Sequence, residues 1–131
     1  MSRRGTDAGS ITLETVIAFP VFMLAVLLII NAALWYHARD VALAAAQEGV
    51  RAGRAYGANP ARAHTTAMSF AQTAGDGFLL APAVDTSGST ATTLSVRVRG
   101  HAVSLIPGLN LSIRQVAHGP VERFTTPTGG P

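Results

Sequence analysis

The first 38 residues carry four charged side chains, Arg3, Arg4, Asp7 and Glu14, and the next charge is Arg39. Glu14 calls most for a chemical reason. A charged residue at the centre of a membrane helix costs about 2.5–3.5 kcal/mol on insertion scales and less at the edge, so a carboxylate at the mouth of an apolar helix is an expensive choice. The simplest account is a helix start, with Ser10 as N-cap and Glu14 in the first turn, where the macrodipole favours a negative charge by about 0.3–1 kcal/mol. A capping box on Glu14 would need Ser or Thr at position 11, and Ile11 stands there. Elsewhere the pattern argues against catalysis. His37, His64, His101 and His118 have no ligand-like spacing, there is no cysteine, and no Ser-His-Asp, paired-carboxylate or phosphate-loop arrangement stands out. The histidines are expected to be structural or exposed, and no enzyme activity, metal or cofactor is expected.

The element behind Glu14 is a membrane span. From Thr15 to Ala38 there is no Asp, Glu, Lys or Arg, and a helix of that length covers about 36 Å. A bilayer core about 30 Å thick needs about 20 apolar residues. Trp35 and Tyr36 close the run, where amphipathic rings favour the headgroup level, and Pro20 falls early enough for the span to survive it. Charged residues are 13% of the 131-residue chain, against about 25% in an ordinary soluble domain. A net charge of +3 without a basic run is too small a footprint for nucleic acid. Arg3 and Arg4 flank one side of the span and Arg39, Arg51 and Arg54 the other, so counting does not orient it. Short flanks obey the positive-inside rule and long domains cross largely regardless of charge, which predicts a cytoplasmic N-terminus and an exported C-terminal part. The rival is a signal peptide cleaved within VALAAAQ at 41–47, although its apolar region should be about 7–15 residues.

The start of the chain, MSRRGTDAGSITLETVIAFP, resembles the cleavage region of type IV prepilins and pseudopilins: a short basic leader, Gly9, four uncharged residues and then Glu14. The resemblance implies a cut by prepilin peptidase between Gly9 and Ser10, with Glu14 as the fifth residue of the mature chain. Gly9 presents no Cβ at the scissile bond, which suits close approach by a protease. The resemblance also implies that the new N-terminal amine meets Glu14 of a neighbouring subunit during assembly, a cation beside a carboxylate at low dielectric. Position 15, often aromatic in pilins, is Thr15. Residues 9–57, with Glu14, the Pro-containing apolar run and an Ala-rich segment bearing Gly and Arg, look like the TadE-like proteins of tight-adherence (Tad) pilus systems. Flp-type major pilins are little more than the helix. The longer C-terminal part therefore implies a minor pseudopilin-like subunit whose partners are other pilins or pseudopilins, the prepilin peptidase, the assembly platform and membrane lipid. No nucleic acid or small-molecule substrate is expected. The alternative is a secreted or anchored binding protein whose N-terminus is only a signal or anchor.

Beyond the span the helix is expected to continue, with Ala45, Gly49, Gly53 and Gly57 as a ridge of small residues that lets another backbone approach. The ridge would meet the protein's own sheet or a partner helix. Asn59-Pro60 reads as a cap and first-turn proline of a second helix ending at Gly75, and PAVDTSGSTATT at 82–93 as a polar loop. From Leu94 the period is two: Leu94, Val96 and Val98 on one face, Ser95, Arg97 and Arg99 on the other. A second strand follows Pro107-Gly108, with Leu111 and Ile113 opposed to Ser112 and Arg114. Arg97, Arg99 and Arg114 could cluster on an exposed sheet face. The expected architecture is α+β: a leader at 1–9, one long helix at 10–57 spanning the membrane over about 15–38, a small extracytoplasmic domain at 58–124 with a short helix and an antiparallel sheet, and a disordered tail at 125–131.

Overall fold

The computed structural model describes residues 7–55 and 57–121. Arg3-Arg4 of the leader and the tail at 125–131 lie outside the described residues. The architecture is α+β, as expected. Helix α1 runs from Asp7 to Ala55, helix α2 from Pro60 to Ala74, and strands β1 (Leu79–Asp85), β2 (Thr93–Ala102) and β3 (Leu111–Pro120) form one antiparallel sheet in the order β1-β2-β3.

Two different surfaces make up α1. Ile11, Leu13, Val16, Ile17, Phe19, Val21, Phe22, Leu24, Leu28 and Ile29 are all exposed, and Pro20 sits inside the helix. Only 6% of the most apolar window is buried against the rest of the chain, so this is not the core helix of a folded domain. The helix is long and apolar enough to cross a membrane. From Asn31 onward one stripe is covered: Asn31, Ala38, Val41, Ala42, Ala45, Ala46 and Val50 are buried. That stripe, with Ala63, Ala67 and Ala71 of α2 and Leu79, Leu94, Val96, Val98, Ala102 and Ile113 of the sheet, is the core.

Asn59 caps α2 by accepting from the Arg62 N–H at 3.2 Å, Pro60 opens the helix, and Gly75 ends it. Three details differ from expectation. The helix ends at Ala55, and Gly57 lies beyond it with φ +71°, a left-handed conformation that closes the helix instead of extending its ridge. The segment expected as a loop from residue 82 is strand as far as Asp85. Ser95, expected on the polar face, is buried: the Ser89 hydroxyl accepts from its N–H at 3.0 Å and lies 3.1 Å from its carbonyl, so the loop after β1 folds over it.

Candidate functional site

Gly9 and Ser10 lie in the first turn of α1, both exposed. Helix ends fray first, so this turn opens most cheaply to an extended conformation. A Cβ built on Gly9 would meet nothing within 4 Å, so the fold itself makes no demand for glycine there. Thr15 bonds back to the Ile11 carbonyl at 2.9 Å, which satisfies its hydroxyl within the helix. Glu14 is exposed one turn further in, with Ile11, Thr15, Ala18, Phe19 and Phe22 around it. No other charge occurs between Ala8 and Ala38.

The small-residue ridge is divided by the structure. Ala45 is fully buried. At Gly49 an added Cβ would lie 2.8 Å from the Ala63 carbonyl oxygen, 2.8 Å from the Ala67 Cβ and 3.3 Å from the Val96 Cγ1. At Gly53 it would meet the Leu94 side chain and lie 2.8 Å from the Ala63 Cβ. The ridge thus receives the protein's own α2 and β2 together, where the sequence allowed the sheet or a foreign helix. Gly57 takes no part in it: nothing lies within 4 Å of its would-be Cβ.

The arginines share one face of the sheet but not one partner. Arg97 reaches Asp85 at 3.4 Å, while Arg99 and Arg114 face each other across β2 and β3, both exposed. The Asp85 carboxyl is held below its ordinary 3.8 first by the Ser87 backbone N–H, 2.8 Å away, and further by the Arg97 and Arg99 charges. A depressed carboxylate favours the folded chain above the ordinary value and loses that contribution as the pH falls through the depressed one. Arg51 pairs with Glu48 at 3.4 Å. His37 meets Phe78 edge-on at 4.7 Å, and no group of three or more potential metal ligands occurs among the described residues.

Sequence reasoning missed Asn31. It lies inside the apolar run, yet it is only 4% exposed, and its Oδ1 accepts from the Leu105 N–H at 3.1 Å and from the Ser104 hydroxyl at 3.0 Å. The signal was an amide in an otherwise apolar stretch. Its partners, more than 70 residues away, were not readable.

In comparison with known proteins, residues 9–51 match the family model described as TadE-like protein. The match covers Gly9, Ser10, Glu14, Asn31 and the ridge through Gly49, and stops before α2 and the sheet. No curated protein and no solved structure matches the chain.

Proposed function

With its N-terminal third TadE-like in sequence, we propose that the protein is a minor pseudopilin-like subunit that helps to assemble or anchor a Tad pilus. It is cut after Gly9 by a prepilin peptidase, crosses the membrane once with its N-terminus in the cytoplasm, and carries the domain at 58–124 outside the cell. Its role is structural and not enzymatic. The partners are other pilins or pseudopilins, the peptidase, the assembly platform and lipid.

One observation carries this reading: a single carboxylate on an apolar helix surface that the rest of the chain leaves bare. Such a charge in low dielectric is tolerable when paired, and the amine exposed at Ser10 of a neighbouring subunit is a cation at the same level. The packing also counts against the signal-peptide alternative. Cleavage within VALAAAQ would remove Ala38, Val41 and Ala42, and after Ala46 also Ala45 and Ala46, all of them core residues. An exported remainder would have lost most of the buried stripe on which α2 and the sheet are packed, keeping of it Gly49, Val50 and Gly53.

Peptide mass spectrometry of the mature N-terminus tests the reading. The expected start is Ser10, and Gly9→Val is expected to stay membrane-inserted, because the fold has open space at that position, and unprocessed, because bulk at the scissile bond blocks the protease. A start near Gln47, or unchanged processing of Gly9→Val, removes the peptidase assignment.

A further inference from the structure

The connection between β2 and β3, residues 103–110, holds Val103, Leu105, Ile106 and Leu109 and no charged side chain. It is not packed as core: Leu105 is 51% and Leu109 40% exposed. It is nevertheless fixed in place. Its Ser104 hydroxyl and Leu105 N–H are bonded to Asn31 of α1, the Ile106 N–H donates to the Ser104 hydroxyl at 3.1 Å, and Gly108 turns the tip with φ +79°. Beside it, Phe78 and Leu80 are exposed, and both are tied to the same end of the sheet. The Phe78 carbonyl accepts from the Val103 N–H at 3.0 Å, and Leu80 pairs with His101.

Depth decides what these side chains face. From Glu14 to Asn31 the helix rises about 25 Å at 1.5 Å per residue, less than the roughly 30 Å of a bilayer's hydrocarbon core. Any tilt shortens the projection further. If Glu14 stands at one boundary, Asn31 lies below the other, and so does the loop bonded to it. The α1 residues flanking Asn31, namely Ile29, Ile30, Ala32 and Ala33, are exposed at that level. Trp35 and Tyr36 follow one turn on, with the Arg39 guanidinium 5.9 and 5.8 Å from their ring centres, an arrangement suited to the headgroup layer.

We propose that the tip of this loop, Leu105 to Leu109, is immersed in the adjoining leaflet of the bilayer and gives the domain a second lipid contact beside α1. The inference rests on the reading of α1 as a membrane span. It explains why an amide at hydrocarbon depth is tolerated: the oxygen of Asn31 is satisfied by the loop, where an unsatisfied polar group would be costly. It also explains why large apolar side chains stand exposed on a segment without charges. Lipid is favoured over a protein partner because the loop is continuous with the helix surface that already faces the hydrocarbon.

The chain has no cysteine, so single probes can be placed freely. Leu105→Cys, Leu24→Cys and Ser87→Cys are each labelled with an environment-sensitive nitrobenzoxadiazole probe in the full chain. Each is reconstituted into phosphatidylethanolamine/phosphatidylglycerol vesicles and quenched with nitroxide-bearing lipids of shallow or deep label position. The probes at 24 and 105 are expected to be blue-shifted and quenched, the one at 105 more strongly by the shallow nitroxide, while the probe at 87 behaves as in water. Leu109→Cys is expected to repeat the result at 105, which guards against a local effect of one substitution. A lipid-embedded probe at 24 with water-exposed probes at 105 and 109 overturns the inference and leaves the span intact. A water-exposed probe at 24 removes the span itself. Probes at 105 and 109 shielded from water but unquenched by either lipid mean that protein covers the tip, which also overturns the proposal.

Discussion

Glu14 and Asn31, two polar side chains in the apolar half of α1, are treated in opposite ways. Asn31 is buried and bonded by the chain's own loop, so its contribution belongs to the fold. Glu14 is left exposed with apolar neighbours, so a contact that answers its charge comes from outside the chain or from water at the boundary. Substitution separates these roles. Glu14→Ala is expected to insert at least as well as the parent, since removing a boundary carboxylate lowers a cost of up to about 2.5–3.5 kcal/mol. Pelleting with membranes after alkaline extraction measures this. The same variant is expected to fail to restore piliation and to lose co-purification with pilin partners. Normal piliation by Glu14→Ala would leave the residue as a charge tolerated at the mouth of the apolar run and nothing more, since α1 starts at Asp7 and Glu14 lies beyond the first turn, where the macrodipole favours an acid.

At the scale of elements, the close approach of α1, α2 and β2 makes Gly49 the most demanding position in the packed part of the helix. Alanine there would gain about 1 kcal/mol in helix propensity, but its Cβ would fall 2.8 Å from the Ala63 carbonyl, a backbone atom that cannot rotate away. Overpacking of this kind costs about 1–3 kcal/mol, so Gly49→Ala is expected to lower the melting temperature of the full chain in detergent by several degrees. An unchanged or higher melting temperature would show that the helices can separate without loss. The elements themselves were unevenly legible. Both helices announce themselves through a long uncharged run, the Asn59-Pro60 start and Gly75, and β2 through its strict alternation. By contrast, β1 was hidden because it is an edge strand broken by a bulge between Leu80 and Ala83, with Ala81 at φ +48° and Pro82 inside it. Its burial therefore has no period of two. Ser95 was misplaced for a related reason: polarity assigned it to solvent, while a hydroxyl on the loop six residues earlier covers it. The ridge was visible as small residues, but which neighbour filled it depended on α2 folding back across α1.

The whole molecule has two ends that differ in what holds them. At the distal end, Gly119 of β3 packs on Val50 and Arg54, and the Asn59 N–H donates to the Gly53 carbonyl at 3.1 Å, so sheet and helix are locked together by direct contact. At the proximal end, the β2–β3 loop reaches along α1 to Asn31, within the apolar run. Because β2 descends along the helix and β3 returns, the domain is fastened to α1 over much of the helix beyond Asn31 and cannot swing as a body on a flexible stalk. Its side of the membrane is therefore set when α1 inserts. The positive-inside rule weighs the short flank carrying Arg3 and Arg4 against a long segment whose translocation depends little on charge, and the proposal that the domain lies outside rests on that rule. A membrane-impermeant maleimide applied to intact spheroplasts is expected to label Ser87→Cys on the domain and, in the Gly9→Val background that keeps the leader attached, to leave Ser2→Cys unlabelled until the membrane is permeabilised. The reverse pattern would place sheet, α2 and loop on the cytoplasmic leaflet. The loop's contact with lipid would then survive unchanged, since it depends on depth along α1 and not on direction, whereas a role in assembling a fibre outside the cell would not.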